Sequence, residues 1–153
     1  PYVVTRWIGG TLTNFKTISK LIDHLKKLKS DRVAGLHEKY TKKERLTLER
    51  ETIRLEELVG SLEPLVRLPD ALLVVDSKLH TSAVREATRL HIPIIAFDNT
   101  DANPDAVDYM VIGNNASRES VKWFFEKIMH AMQEGKQEAV KAALHSEPVA
   151  PKE

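Results

Sequence analysis

The chain has 153 residues, 42% of them apolar and 29% charged, with a formal net charge of +1 and no cysteine. That is length for about one domain with a real core. It excludes disulfide frameworks and thiolate metal sites, and no apolar run approaches the ~20 residues that span a bilayer, so no membrane partner is expected.

The small net charge hides an asymmetry. Residues 1–67 carry 14 Lys and Arg against 9 Asp and Glu, whereas residues 68–153 carry 9 against 13. Within residues 1–43 the count is 10 against 3. A basic first third joined to an acidic remainder points to a polyanionic partner for the former. A lysine-rich solvated helix face is the alternative.

In chain order, Pro1 to Val4 reads as the end of a strand. Arg6-Trp7-Ile8-Gly9-Gly10-Thr11-Leu12-Thr13-Asn14 follows. Two adjacent glycines permit backbone conformations closed to other residues, but no GxGxxG or phosphate-loop pattern surrounds them. An arginine beside a tryptophan at a glycine turn can stack on a base or pair with phosphate. A core role for Trp7 beneath the loop is the alternative.

From Thr13 to Leu28 the apolar positions Phe15, Ile18, Leu21, Ile22, Leu25 and Leu28 form a helical stripe, with Lys16, Lys20, Lys26, Lys27 and Lys29 elsewhere on the helix. Thr13 or Asn14 can cap its start. Thr41 with Glu44 three residues later is a capping box opening a second helix that runs to about Leu62. There Leu48, Leu55 and Leu62 lie seven apart, as do Leu46 and Ile53. The spacing predicts an antiparallel coiled-coil hairpin over 13–62, too charged to lie in a core and so projecting from the rest.

Leu72 to Val75 and Ile92 to Phe97 are short branched apolar runs without clean alternation, as in buried parallel strands. Between them Ala83, Val84, Ala87 and Leu90 form an apolar helix face, with Arg85, Glu86 and Arg89 on the other side. This is a βαβ crossover. The turn-rich stretch Asp98 to Asp108 follows, at the strand end where open α/β sheets place ligands. Asp76, Asp98 and Asp101 could converge there on Mg²⁺, which would suit a flavodoxin-like metal-dependent enzyme or receiver. Asx turns and helix caps are the plainer reading. Tyr109 to Ile112 is a third strand. The last helix, Ala116 to Glu134, is expected to bury Val121, Phe124, Phe125, Ile128 and Met132, and residues 136–153 read as a flexible tail. No nucleophile elbow, HExxH pair or phosphate-loop lysine occurs, and none of the six histidines is paired at metal-ligand spacing. A catalytic role is not expected.

Arg6 to Asn14, read with Leu68-Pro69-Asp70-Ala71-Leu72, resembles bacterial-type small-subunit ribosomal protein two. Thr41 to Glu44, Ile92-Pro93, Pro104-Asp105 and Gly113-Asn114 recur in the family's order and spacing. Thr11 stands where a larger apolar residue is common, and His80 where an acidic or amide side chain is usual. The resemblance implies a flavodoxin-like parallel sheet flanked by helices, formed from residues 1–12 and 63–135, bearing the hairpin. It implies a non-catalytic constituent of the small ribosomal subunit, in the cytoplasm or an organelle. The expected partners are ribosomal RNA and neighbouring ribosomal proteins, including the mRNA-recruiting ribosomal protein one. Arg6, Trp7, Gly9, Gly10, Asn14, Lys16, Lys20 and Arg118 are the candidate RNA-binding residues, and no cofactor beyond a structural Mg²⁺ is expected. The family's N-terminal part has no counterpart here, so the chain is expected to be a fragment. About three paired strands would then remain, with the Leu72–Val75 edge open and prone to aggregation.

Overall fold

Three short apolar runs pair in parallel. In the computed structural model, which describes residues 1–145, β1 (Leu72–Val75), β2 (Ile94–Asp98) and β3 (Tyr109–Ile112) form one sheet in the order β1-β2-β3. Leu72 lies opposite Ile94, and Ile95 opposite Tyr109. Pro93 stands just ahead of β2, where its missing N–H removes no rung. Its carbonyl accepts the Leu72 N–H at 2.8 Å and so begins the ladder. The second strand therefore starts at Ile94 rather than Ile92. No strand forms at Pro1 to Val4; instead the Tyr2 N–H donates to the Ser61 carbonyl at 3.4 Å.

Helix α3 (Thr81–Arg89) makes the crossover from β1 to β2. Its Val84 and Ala87 pack with Leu12, Val74, Ile92 and Ile94 in one buried cluster. Because side chains alternate along a strand, Ile94 and Phe97 project from opposite faces of β2. Phe97 stacks on Phe124 of α4 (Arg118–His145), ring centroids 4.6 Å apart. Helices thus flank both faces of the sheet, as the sequence leads one to expect.

Helix α4 departs from expectation. It continues through Gly135 to His145, past the anticipated end at Glu134, so residues 136–145 are helical; residues 146–153 lie outside the described part. Of the predicted stripe only Phe124 is buried. Val121 and Ile128 are half-buried, while Phe125 and Met132 are exposed. Phe124 meets the sheet through its stack on Phe97.

A second core lies apart from the sheet. Helices α1 (Phe15–Val33) and α2 (Lys42–Val59) bury Ile18, Ile22, Leu25 and Leu28 against Leu55, Val59 and Leu62, with Val3, Ile8 and Leu65 packed alongside. The capping box forms as predicted: the Thr41 hydroxyl accepts the Glu44 N–H at 3.4 Å, and Glu44 accepts the Thr41 N–H at 2.9 Å. A His24–Glu51 hydrogen bond at 3.1 Å and the ion pairs Lys29–Glu56 and Arg32–Glu49 at 2.8 and 3.8 Å join the helices. Partly exposed pairs of this kind contribute at most about 1 kcal/mol each, so the leucine and isoleucine stripe dominates the packing. Leu46 and Ile53, the second predicted heptad pair, are exposed.

Gly113 closes β3 against the aromatic stack. A Cβ there would stand 2.5 Å from the Phe97 ring, which is buried and held by Phe124, whereas a Cβ on Gly9 would meet nothing. Gly113→Ala is therefore expected to cost about 2 kcal/mol. Gly9→Ala should change stability by less than about 0.5 kcal/mol. Urea unfolding of the two variants checks the difference.

Candidate nucleic-acid interface

The loop that carries most of the candidate residues is built around a buried carboxylate on another element. Glu86 of α3, 8% exposed, takes hydrogen bonds on both oxygens. Its Oε1 accepts the Trp7 indole N–H at 3.0 Å and the Gly10 N–H at 2.7 Å. Its Oε2 accepts the N–H groups of Leu12 and Thr13 at 2.9 and 3.1 Å and the Thr13 hydroxyl at 3.2 Å. The turn that aims these donors inward needs Gly10, whose φ is +91°. Thr11 is buried beneath it, with its hydroxyl donating to the Ile8 carbonyl at 2.6 Å. Thr11 is small enough for this site, with its polar atom satisfied within the loop.

Glu86 was expected on the outer face of its helix, and that expectation fails. A glutamate on the polar side of an amphipathic pattern reads as solvated, but here the loop covers it. The signal that points to it is one of accounting. A glycine turn outside any sheet presents backbone N–H groups that need acceptors, and residues 6–13 carry no carboxylate of their own.

The loop's inward half is thereby spent. Trp7 is half-buried, packs on the sheet cluster and gives its N–H to Glu86, as the core alternative for it supposes. What faces outward is Arg6, Gly9, Asn14 and the first two turns of α1, where Lys16 and Lys20 are exposed. Asn14 precedes the helix, and its Oδ1 accepts the Thr17 hydroxyl at 2.9 Å rather than a backbone N–H. Arg6, Asn14, Lys16 and Lys20 are thus all exposed, with Lys16 and Lys20 one turn apart on the same side of α1. Arg118 opens α4 and is exposed, but no hydrogen bond or ion pair among the described residues ties it to them.

The aspartates do not assemble into a metal site. Asp76 Oδ1 accepts the Leu79 N–H at 2.8 Å, which settles its own left-handed backbone (φ 67°) at the end of β1. Asp98 is fully buried, and its Oδ1 accepts the Ser77 N–H at 2.6 Å. Asp101 pairs with Lys78 at 2.9 Å. Among the described residues no group of three acidic, histidine or cysteine side chains is placed to hold a metal ion. The expected convergence of Asp76, Asp98 and Asp101 on a metal ion is corrected accordingly: Asp76 closes a turn, Asp101 is in an ion pair, and buried Asp98 holds the Ser77 N–H through Oδ1 while its Oδ2 has no partner among the described residues.

Fold and site together define a parallel α/β protein with an exposed basic stretch at its glycine loop and the start of α1. The chain belongs to the ribosomal protein S2 family, whose model matches residues 1–135. A curated relative, the small ribosomal subunit protein uS2 of Desulfovibrio desulfuricans, is 43% identical over 134 residues, which cover 88% of this chain and 52% of the relative. The chain spans about half the length of that relative.

Burial pushes the Glu86 carboxyl up, but the hydrogen bonds from Gly10, Leu12, Trp7 and Thr13 together outweigh it and hold the group below the usual glutamate range. A carboxylate depressed on folding stabilises above its unfolded pKa of about 4.3, and that stabilisation is lost as pH falls through the lower folded value. Glu86→Gln should therefore cost about 2 kcal/mol at pH 7, because donors are left without an acceptor. The deficit relative to the parent should shrink below about pH 4. Urea unfolding of both proteins from pH 7 to pH 3 measures this; a deficit independent of pH would contradict the ionised contact.

Proposed function

We propose that this chain is part of a structural constituent of the small ribosomal subunit that binds ribosomal RNA and supports subunit assembly and translation without catalysing a reaction. The observation that carries the reading is the division of labour at residues 6–20. Glu86 consumes the loop's tryptophan and backbone donors, while Arg6, Lys16 and Lys20 stay exposed and engage no carboxylate among the described residues. Membership of the ribosomal protein S2 family supports it.

In this reading the cations and Asn14 meet phosphate and ribose, Gly9 lets RNA approach closely, and Trp7 and Gly10 contribute by shaping the loop. Arg118 supplies a separate contact. Such recognition is of RNA shape and backbone, since A-form helices hide their major-groove edges. The three-stranded sheet fits a flavodoxin-like body formed by residues 1–12 and 63–135. Residues 13–62 act as an antiparallel coiled-coil arm reaching from it, and the mutual burial of α1 and α2 supports that role. Neighbouring small-subunit proteins, with ribosomal protein one docking nearby, complete the partners, and the setting is the ribosome in the cytoplasm. Among the described residues no helix is long and apolar enough to cross a membrane.

Phosphate neutralisation releases counterions, so binding weakens steeply with salt. The chain should co-sediment with small subunits at low salt and leave them at high salt. Reversing Lys16 and Lys20 to Glu should reduce incorporation about tenfold or more. Unchanged occupancy of that double variant would remove these residues from the interface, and absence of the parent chain from subunits at every salt would end the ribosomal reading.

A further inference from the structure

A cleft of about 340 Å³ opens where α1, the 3₁₀ turn Leu36–Lys39 and the first turns of α2 meet. Gly35, in the left-handed region at φ 69°, turns the chain out of α1 and brings this short segment back beside it. Leu28, Leu36, Tyr40 and Leu48 give the cleft an apolar and aromatic lining, the His24 and His37 imidazoles stand beside them, Lys27 and Lys39 supply its cations, and Asp31 its acid. Tyr40 is exposed, with the His37 ring tilted beside its own at 6.3 Å between centroids.

The cleft lies on the helix that carries Lys16 and Lys20. Lys16, Lys20 and Lys27 recur on one side of α1, by the spacing of the helix, and all three are exposed. A line of ammonium groups, interrupted by Asp23, leads from the glycine loop to the cleft. At its end the surface changes character, from mainly charged side chains to cations around an aromatic and leucines. That combination suits a base with its phosphates rather than phosphate alone. Single-stranded RNA is read by splaying bases onto aromatic side chains, and a duplex keeps its bases stacked away from such a cleft. The volume is at the lower end of small-ligand sites, about what one nucleotide fills.

We propose that this cleft takes one unstacked nucleotide of single-stranded or bulged RNA, its base against Tyr40 and Leu36 and its phosphates at Lys27 and Lys39. The proposal rests on the RNA-binding reading above and adds to it a contact selective for unpaired RNA.

The test titrates the chain with a single-stranded RNA hexamer carrying 2-aminopurine, with the same hexamer in a duplex, and with inorganic polyphosphate as competitor. Single-stranded RNA should bind more tightly than duplex and its fluorescence should change on binding. Tyr40→Ala should lose roughly tenfold in affinity while Tyr40→Phe retains it. Lys39→Ala should lower the salt slope by about one. Equal affinity for duplex and single strand overturns the proposal. So does a Tyr40→Ala chain of unchanged helical content that binds like the parent, or polyphosphate displacing the hexamer equally from both, which would mean a cation patch only. Normal incorporation into small subunits together with hexamer binding indifferent to Tyr40 sinks the cleft alone. Failure of the parent chain to enter subunits sinks the ribosomal reading and leaves the hexamer result to judge the cleft.

Discussion

The fold's two cores meet through a carboxylate with five donors. Taking a glutamate out of water costs several kcal/mol, which no single neighbour would offset. Hydrogen bonds to a charged group contribute about 1.5–3 kcal/mol each, and Glu86 accepts them from Trp7, Gly10, Leu12 and twice from Thr13. The sum favours the ion, in keeping with its lowered pKa. The consequence is architectural. The segment that Glu86 grips sends Ile8 into the core between α1 and α2 and sends Trp7 and Leu12 into the core beneath α3. One side chain thus sets the geometry between the helix pair and the sheet.

Charge in the sequence is a poor guide until its partners are known. Lys29 and Arg32 look equivalent to Lys16 and Lys20, yet the first two are committed to Glu56, Glu63 and Glu49 across the helix pair. The aspartate-rich stretch is a similar case. Asp108 accepts the Ile94 N–H at 2.8 Å and returns its own N–H to the Ile94 carbonyl at 3.2 Å, fixing the entry to β2. Asn103 caps the next turn through the Asp105 N–H. These residues hold strand ends in register.

Much of the fold was legible because its signals are local. Leu72–Val75 and Tyr109–Ile112 are strands over the predicted residues, and the Thr41–Glu44 box opens α2 where its spacing says. The basic loop and helix start were legible too, as a composition. Glu86 was not, because its role depends on a loop 73 to 79 residues away in sequence. Phe125 and Met132 mark a second limit. Periodicity reports that a helix face is apolar, but the contact that would cover it is a tertiary fact, and Phe124 has one in Phe97 while Phe125 and Met132 stay exposed.

The free margin of β1 leaves a signature in the backbone. Leu72 and Asp76 send their N–H groups to Pro93 and Phe97 of the neighbouring strand. By the alternation of a parallel ladder, Leu73 and Val75 then direct theirs away from β2, where the sheet has no further strand among the described residues. Solvent deuterium should enter this strand at every second amide, long before the intervening ones exchange. A ladder protected on alternate rungs is half of a template, and any strand added at that margin would be read directly as the slowing of those two amides.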